Sequence, residues 1–286
     1  MNYDIIIIGS GVAGLTSAIY ASRANKSVLV IEDGVLGGTT ATLDVIENYP
    51  GIIKISGFEL IQNMYAQAVS FGTNFEFVSI NSIDFDNNQI NTDNSIYKYS
   101  ALIIASGSSY IRVNAENEDK YKLKGLSYCA VCDGALFRGK NIAVITNGNS
   151  AKASIDYLND LVSNISVLDI SNKYNDQKHS VYHNVVINKF LGDDRLESIE
   201  FISDESATQL DVDGVFVSLG KTTDLNLYSA LNNDGKYLIT DENMHSNIDN
   251  VFVAGDIRKK SLRQIVTACS DGAIAATEAI KFITKK

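Results

Sequence analysis

The sequence predicts an α/β protein made of two Rossmann-like, three-layer domains of the type that binds nucleotides. The run Ile5–Ile8 is apolar and β-branched, which is typical of a strand buried on both faces of a parallel sheet. A glycine-rich turn and a helix-forming stretch follow it directly, and the same order of strand, turn and helix returns over 141–161. At 286 residues the chain is long enough for two domains of ordinary size.

The composition argues against several classes of function. Hydrophobic residues make up 45% of the chain and charged residues 20%, an ordinary balance for a globular protein. The net charge of −10 argues against nucleic-acid and anionic-membrane partners. The first residues lack the basic start of a signal peptide, and the run Ile5–Ile8 is too short to span a bilayer. Three cysteines do not make a disulfide scaffold, so a reducing, cytoplasmic location is expected.

The first strand opens a dinucleotide-binding βαβ unit. A helix is predicted over Leu15–Ala24 and a second buried strand over Val28–Ile31, ending at Glu32. Glu32 can accept hydrogen bonds from ribose hydroxyls, and its charge would repel a 2′-phosphate. The unit does not by itself distinguish FAD from NAD. Its turn has the G-x-G-x-x-G pattern, in the order Gly9, Ser10, Gly11, Val12, Ala13 and Gly14.

Each glycine of that turn has a separate task. Gly9 permits the tight turn, Gly11 lets the backbone approach a pyrophosphate, and Gly14 lets the helix pack on the strand. The start of the helix offers N–H groups and the positive end of its dipole to the phosphates.

Two further loops and a buried strand belong to the same domain. Gly37–Thr40 and Glu47–Gly51 suit loops that pass close to a flat ligand, with Asn48 hydrogen-bonding its polar edge. Another buried strand is predicted over Ala101–Ala105, closed by Ser106-Gly107.

A second, imperfect copy of the βαβ unit lies in the middle of the chain. Thr146 follows the strand at 141–145, where the first turn glycine should stand, and its Cβ disfavours the tight backbone path. Gly148 and Ala151 keep the other two positions, and the next strand is predicted over Ile165–Ile170. A short second sheet is predicted to complete this domain, over 185–190, 196–202 and 212–218.

The clearest chemical signal is the Cys-x-x-Cys motif that ends in Asp-Gly. Cys129 and Cys132 can form and break a disulfide, and Asp133 places a proton donor or acceptor beside the inner sulfur. Two incidental buried cysteines are one alternative. Half of a zinc site completed by His179 and His183 is another, although the gap between the pairs is far longer than in a zinc finger. We therefore predict a redox pair and no metal.

The C-terminal part of the chain has a further pattern that is typical of nucleotide binding. Val251–Ala254 is predicted as a buried strand that leads to Gly255 and Asp256, which suit the hydroxyls of a sugar. Arg263 and Gln264 open a helix that is rich in small residues. Tight packing of a terminal helix would explain the alanines of this helix. It would not explain why Asp256 lies so close in sequence to Arg263 and Gln264.

Together these motifs resemble the low-molecular-weight thioredoxin reductases over essentially the whole chain. The matching segments are Gly9–Gly14, Glu47–Gly51, Cys129–Gly134 and Gly255–Ile257 with Arg263-Gln264. The resemblance implies an FAD-binding domain over 1–111 and 232–286. It also implies a smaller inserted domain over 112–231 that carries the Cys pair, and the polar stretch at 112–125 suits such a boundary.

The resemblance further implies the role of each site residue. Cys132 would lie nearest the flavin, Cys129 would attack the substrate disulfide and Asp133 would donate the proton. A homodimer is implied, in which the inserted domain rotates to present the Cys pair in turn to the flavin and to thioredoxin or a thioredoxin-like protein. The implied FAD contacts are Gly9, Ser10, Gly11, Val12, Ala13, Gly14, Glu32, Asp33, Gly37, Gly38, Thr39, Thr40, Asn48, Val78, Ala105, Ser106, Gly107, Gly255, Asp256, Arg263, Gln264 and Ile265.

Several departures from that family concern the electron donor. Thr146-Asn147 replaces the intact glycine turn, and the arginine signature that holds the 2′-phosphate of NADPH is absent at Leu168–Lys173. The Gly-x-x-Pro turn of the family reads Gly220–Thr223. A phosphate without a cationic partner at a crowded turn should bind poorly, so NADPH is not expected to be the donor. Asp169 could in principle hold the unphosphorylated ribose of NADH.

Among the variants of the family, the chain most resembles the ferredoxin-dependent flavin thioredoxin reductases, which keep FAD and the Cys pair without the nucleotide site. In such an enzyme electrons pass from reduced ferredoxin through FAD to the Cys129–Cys132 pair and on to thioredoxin. Because ferredoxins are generally acidic, docking would need a basic face. An ordinary solvated surface explains the candidate cations equally well; they are Arg258, Lys259, Lys260, Lys281, Lys285 and Lys286.

Three other functions stay open at this point. One is a reductase that uses NADH or NADPH through an unusual inserted domain, and another is a flavin-dependent dithiol oxidase that runs the Cys pair backwards. The third is a flavin-bearing redox sensor without enzymatic activity, against which the intact Cys129, Cys132 and Asp133 argue. The remaining cysteine, Cys269, is interpreted as a packing residue.

Overall fold

The computed structural model of the protein describes residues 1–122 and 124–285. The chain folds into two compact units, which we call the first unit and the inserted unit. The first unit is Met1–Ser109 with Thr222–Lys286, and the inserted unit is Tyr110–Lys221. The chain thus leaves the first unit close to the predicted residue 111, but it returns at Thr222, earlier than the predicted residue 232.

The earlier return has a physical cause. Leu225, Leu227, Tyr228 and Leu231 pack on one face of the first unit's sheet, in the same apolar cluster as Ile6. Residues 222–231 therefore belong to the first unit, and the predicted boundary after residue 231 is corrected to Thr222.

The strands and helices are numbered here in chain order. The strands are β1 (Asn2–Ile8), β2 (Val28–Glu32), β3 (Asn74–Phe77), β4 (Ile80–Asp84), β5 (Gln89–Thr92), β6 (Ile96–Ile104), β7 (Ser109–Tyr110), β8 (Leu126–Ser127), β9 (Asn141–Thr146), β10 (Asn164–Asp169), β11 (Ser180–Tyr182), β12 (Val186–Leu191), β13 (Ser198–Ser203), β14 (Ser206–Asp211), β15 (Gly214–Ser218), β16 (Lys221–Thr222) and β17 (Val251–Val253). The α-helices are α1 (Val12–Arg23), α2 (Gly38–Ala41), α3 (Gly57–Ser70), α4 (Glu118–Tyr121), α5 (Ala130–Asp133), α6 (Lys152–Asn159) and α7 (Ile265–Thr284). Short 3₁₀ turns cover Gly134–Phe137, Gly148–Ala151, Asn226–Tyr228 and Gly255–Ile257.

The first unit is built on a sheet in the order β3-β2-β1-β6-β5-β4, with β17 beside β6. As predicted, the run Ile5–Ile8 is buried on both faces. Ile5 and Ile7 pack in the cluster that contains residues of α1 and α7, whereas Ile6 and Ile8 pack in the cluster on the other face. The fold class predicted for this part of the chain is confirmed.

Small residues allow α1 and α7 to approach closely. A Cβ on Gly272 would lie 2.3 Å from the carbonyl oxygen of Ala13, so no larger residue fits there. The Ser17 hydroxyl donates to the Gly272 carbonyl at 3.0 Å and joins the two helices. No helix in the described part of the chain is both long and apolar enough to cross a membrane.

The inserted unit contains a parallel sheet in the order β11-β10-β9-β15-β8 and an antiparallel sheet in the order β12-β13-β14. The prediction that 212–218 belongs to the second sheet is wrong, because β15 pairs with β9 and β8. Val215 and Val217 face one core cluster and Phe216 faces the other, as expected of a central strand. The third strand of the antiparallel sheet is β14, whose largely exposed side chains suit an edge.

Candidate active site

The cysteine pair follows directly after β8 of the inserted unit. Cys129 and Cys132 are joined by a disulfide, with their Cα atoms 5.3 Å apart, and both residues are partly exposed. The backbone N–H of Cys132 donates to Cys129 Sγ at 3.2 Å. The two cysteines are thus close enough to form the predicted redox pair, and Cys129 Sγ has a hydrogen-bond donor.

Asp133 is held beside this disulfide by a serine that the sequence analysis missed. Ser127 Oγ donates to Asp133 Oδ2 at 2.6 Å and accepts the N–H of Cys129 at 3.0 Å. The backbone N–H of Asp133 donates to the Cys129 carbonyl at 3.1 Å. The sequence gives no signal for this role beyond the position of Ser127 two residues before the motif.

A buried carboxylate fixes the segment that leads into the inserted unit. Glu118 is 1% exposed and accepts the N–H groups of Val113 and Asn114 at 3.0 and 2.7 Å. It also accepts the hydroxyl of Tyr128, the residue before Cys129. Together with burial, this contact raises the pKa of Tyr128. The stretch predicted as a polar connector is therefore ordered where it meets the redox motif.

Zinc gains no support as an alternative. The two thiols bond to each other, and His179 pairs with Asp176 and with Asn159 through its two ring nitrogens. Within residues 1–122 and 124–285 there is no group of three or more His, Cys, Asp or Glu side chains placed to hold a metal ion.

In the first unit, the predicted nucleotide residues meet at one edge of the sheet. The strands β1, β2, β6 and β17 are parallel, so their carboxyl ends lie together. A Cβ on Gly9 would lie 2.5 Å from the Ala105 carbonyl oxygen, and one on Gly255 would lie 2.9 Å from Ala13 Cβ. The loops after these strands thus converge on the start of α1.

The glycine turn leaves room where a pyrophosphate would approach. A Cβ on Gly11 would meet no atom within 4 Å, whereas a Cβ on Gly14 would lie 1.9 Å from the Gly9 carbonyl oxygen. Gly11 caps α1, whose first N–H groups have no partners within the helix. The turn therefore fits the phosphates of a dinucleotide. Gly9 and Gly14 are required by the packing of the protein itself, whereas Gly11 is not.

Glu32 connects the end of β2 to this turn. Its Oε2 accepts the N–H and the hydroxyl of Ser10, both at 2.7 Å, and its Oε1 accepts the N–H of Gly34 at 2.9 Å. Asp33 accepts the hydroxyl of Ser79. The N–H of Val78 donates to the Glu32 carbonyl at 3.0 Å, so the predicted residues Glu32, Asp33 and Val78 lie together.

The predicted residues near α7 also form one group. The Asn48 side chain donates to Gln264 Oε1 at 3.2 Å, and Gln264 caps α7, which begins at Ile265. The Arg263 guanidinium donates to three backbone carbonyls, those of Asp256, Arg258 and Lys260. Arg263 therefore braces the loop that carries Asp256.

The basic run predicted as a docking face is largely turned inward. Asp271 is 5% exposed, and its Oδ2 accepts Arg258 Nε at 3.0 Å and Lys260 Nζ at 2.9 Å. Lys259 and Lys281 are exposed but pair with Asp234 and Glu278. The prediction is therefore wrong for Arg258 and Lys260, and Lys286 lies outside the described residues.

In the inserted unit, Asp169 is fully buried at the end of β10. Its Oδ1 accepts the N–H of Gly148 and both the N–H and the hydroxyl of Ser171, at 2.9–3.1 Å. Its Oδ2 accepts the N–H groups of Lys173 and Tyr174 at 2.6 and 2.7 Å. Burial alone would raise the pKa of Asp169, but these donors outweigh burial and hold the pKa well below its usual range.

The segment after β10 consequently lies against the second glycine turn. A Cβ on Gly148 would lie 3.0 Å from Lys173 Cβ, and the Thr146 hydroxyl donates to the Gly148 carbonyl at 2.6 Å. Both oxygens of this carboxylate bind the protein's own backbone, and unlike the half-buried Glu32 it has no exposed surface to offer a ligand, so the idea that Asp169 could hold the ribose of NADH is wrong.

Replacing Asp169 with asparagine should lower the free energy of unfolding by about 3 kcal/mol, because one carboxylate satisfies several buried donors. The folded-state pKa is depressed, so this stability is fully present above the unfolded pKa of about 3.9 and is lost as pH falls through the folded pKa. Denaturant unfolding of both proteins at about pH 7 and about pH 3 should show the difference shrinking in acid. The exposed Asp193→Asn should behave like the wild type, and a pH-independent difference would contradict the prediction.

Cys269 lies on α7 and packs against the core of the first unit. The Tyr49 hydroxyl donates to its Sγ at 3.9 Å, and the neighbouring thiol, together with burial, raises the pKa of Tyr49. A weak contact of this kind is typical of packing. We expect Cys269→Ala to leave turnover unchanged in a steady-state assay, and a large loss would show that the thiol takes part in the chemistry.

A disulfide on one Rossmann-like unit and a dinucleotide cradle on another are the parts of a disulfide oxidoreductase. Residues 3–272 match the pyridine nucleotide-disulphide oxidoreductase family. The chain belongs to this family, which agrees with the predicted resemblance at the family level, while the resemblance to its ferredoxin-dependent members stays a prediction.

Individual relatives align along nearly the whole chain. A 34.2 kDa protein in the rubredoxin operon of Clostridium pasteurianum is 38% identical over 99% of this chain and 98% of its own length. The thioredoxin reductase of Listeria innocua is 35% identical over 98% and 94%.

Two solved structures extend the comparison. Thioredoxin reductase from Streptococcus pyogenes has a TM-score of 0.94 and 31% identity, covering 100% of this chain and 99% of that one. A ferredoxin-flavin thioredoxin reductase from Clostridium acetobutylicum has a TM-score of 0.56, also with 31% identity, over 100% and 99%.

Proposed function

We propose that this protein is an FAD-dependent enzyme that reduces the disulfide of thioredoxin or a thioredoxin-like protein, with reduced ferredoxin and not NADPH as the electron donor. The choice of donor rests on one observation. The carboxylate of Asp169 holds Ser171–Tyr174 against the turn at Gly148. The Clostridium acetobutylicum ferredoxin-flavin thioredoxin reductase and the Streptococcus pyogenes thioredoxin reductase are equally identical to this chain, at 31%, so the choice of donor rests on Asp169.

The first unit fits FAD. Gly9, Gly11 and Gly14 would cradle the pyrophosphate, Glu32 stands at the strand end that faces ribose hydroxyls, and Asp256 lies on the loop braced by Arg263. FAD, when bound, supplies a redox group that accepts electrons singly or in pairs and gives two to the disulfide.

The cysteine motif then performs the exchange. In the reduced pair, Cys129 attacks one sulfur of the substrate disulfide and forms a mixed disulfide, and Asp133 gives a proton to the sulfur that leaves. Cys132 attacks Cys129 Sγ, which releases the second substrate thiol and restores the Cys129–Cys132 disulfide. The substrate gains two electrons and two protons in total. The N–H of Cys132, which donates to Cys129 Sγ, supports Cys129 as the attacking thiolate.

NADPH is difficult to accommodate in the inserted unit. The carboxylate that would face a ribose is buried and bound to backbone, and Lys173 lies against the glycine of the turn. A dinucleotide would have to displace Ser171–Tyr174 and break two hydrogen bonds from the N–H groups of Lys173 and Tyr174 to a buried charge. Because the chain belongs to the pyridine nucleotide-disulphide oxidoreductase family, a pyridine nucleotide is the competing donor in the test.

We also infer that the working protein is a homodimer, as the family resemblance implies. Large apolar side chains on the first unit support a protein contact, since Val35 is 75% exposed, Ile53 94% and Phe58 64%. Sedimentation of the flavin-loaded protein should give twice the mass of one chain.

The test is flavin bleaching under anaerobic conditions with two donors in parallel. Chemically reduced ferredoxin should bleach the flavin absorbance, and oxidised thioredoxin added afterwards should restore it, whereas excess NADPH or NADH should do neither. The matched control is the double variant Cys129→Ser with Cys132→Ser. Reduced ferredoxin should bleach its flavin absorbance, but thioredoxin should not restore it.

Other outcomes would assign another function. Rapid bleaching by a pyridine nucleotide would make the protein an NAD(P)H-dependent reductase and overturn the argument from Asp169. Bleaching of the flavin by small dithiols, followed by peroxide formation when oxygen is admitted, and no bleaching by ferredoxin, would favour the dithiol oxidase.

A further inference from the structure

Ser127 lies outside the Cys-x-x-Cys-Asp motif and is hydrogen-bonded to two of its residues, Cys129 and Asp133. We propose that Ser127 is a positioning residue that holds Asp133 in the place from which it protonates the leaving thiol. This inference rests on the proposed disulfide exchange. It says which residue holds the proton donor of that exchange in position.

The inserted unit's sheet fixes the serine. Ser127 ends β8, pairs with Phe216 of β15 and is 5% exposed. Its hydroxyl has one proton, which can reach Asp133 Oδ2 at 2.6 Å or the Cys129 carbonyl at 3.4 Å. The shorter contact to a carboxylate takes the proton. The oxygen of the same hydroxyl accepts the N–H of Cys129 at 3.0 Å.

One buried hydroxyl therefore joins the proton donor to the backbone of the attacking cysteine. The bond to Oδ2 fixes the rotation of the carboxyl group and directs its acidic proton to Oδ1. During exchange, the substrate's S–S bond breaks, one sulfur bonds to Cys129 Sγ, and the departing sulfur takes the electron pair and then the proton. An alkyl thiolate is a poor leaving group without that proton, whereas an aromatic thiolate of low pKa leaves readily.

This difference in leaving groups gives a direct test. The protein is reduced with excess dithiothreitol, desalted anaerobically and mixed with one disulfide in a stopped-flow single turnover. The two probes are oxidised thioredoxin, which releases alkyl thiols, and 5,5′-dithiobis(2-nitrobenzoate), which releases an aromatic thiolate. Ser127→Ala should slow thioredoxin reduction by about tenfold and leave the aromatic disulfide unchanged. The control Ser198→Ala removes an equally buried hydroxyl from the antiparallel sheet and should match the wild type with both probes.

Further variants distinguish the effect of the Ser127 hydroxyl from the effect of side-chain packing, and they test whether Ser127 acts through Asp133. Ser127→Thr and Ser127→Val have nearly the same shape, so any overpacking is common to both, and only Thr should restore thioredoxin reduction. In the Asp133→Asn background, Ser127→Ala should cause no additional loss, because the serine acts through that carboxylate.

The outcomes distinguish this inference from the function on which it rests. Equal slowing with both disulfides, or a loss that multiplies with that of Asp133→Asn, would reduce Ser127 to a structural role and overturn the inference alone. Reduced wild-type protein that reacts with neither disulfide would overturn the proposed function and the inference together.

Discussion

Cys132→Ser is expected to stop turnover with thioredoxin and to trap the substrate on Cys129. The remaining thiol can still attack the substrate disulfide, but no second thiol can release the mixed disulfide. Turnover should fall by more than about a thousandfold. The protein should stay folded, since both cysteines are partly exposed and serine has almost the same volume. The adduct should appear by mass spectrometry without reductant and disappear when dithiothreitol is added.

The matched variant Cys129→Ser should be equally inactive but should form no adduct. Both variants are best made with Cys269→Ala, so that each protein has a single thiol. An adduct with Cys129→Ser and none with Cys132→Ser would exchange the roles of the two cysteines. Turnover that survives in both would remove the pair from the mechanism.

The parts of the fold that could be predicted from sequence are those set by local pattern. Ile5–Ile8 has no polar position, so it had to be buried on both faces, and a glycine turn followed by a helix admits few arrangements. The inserted sheet was harder, because 212–218 and 206–211 are both plausible strands. Only the burial of Val215, Phe216 and Val217 on two faces makes β15 a central strand.

Charge was the least predictable property, because a sequence lists charges without their partners. Arg258 and Lys260 lie in a basic run that predicts an exposed charged surface. In the structure both side chains bind the buried carboxylate of Asp271 on α7. Asp169 likewise suggested a ribose ligand. Its role depends on the backbone of Ser171–Tyr174, including Asn172 with a φ of 53°, a conformation that residue type alone does not specify.

The sequence proposes the site as a set of residues, which stays a prediction, and it gives no indication of the hydrogen bonds that connect them. The order of the motifs indicates which side chains matter, and the strand ends bring Gly9, Ala105 and Gly255 together as expected. Ser127 could not be found in this way. A serine two residues before a motif has no pattern of its own, and its contact with Asp133 depends on the short turn through α5.

Gly14→Ala and Gly11→Ala form the pair that separates protein packing from cofactor binding. The Cβ of Gly14→Ala would lie 1.9 Å from the Gly9 carbonyl oxygen. Because that oxygen belongs to the backbone of the turn, α1 would have to move, at a cost of about 3 kcal/mol. Unfolding of the apoprotein should reveal this loss, and the purified variant should contain little flavin.

Gly11→Ala should act on flavin alone. Gly11 has a φ of −66°, which alanine adopts readily, and its Cβ would meet no protein atom within 4 Å. The apoprotein should therefore unfold like the wild type, while FAD titration should show weaker binding, because the new methyl group occupies the space through which a pyrophosphate approaches. If Gly11→Ala binds FAD as tightly as the wild type, the phosphates do not lie at this turn. Equal destabilisation of both apoproteins would mean that the open space at Gly11 is filled by the protein itself.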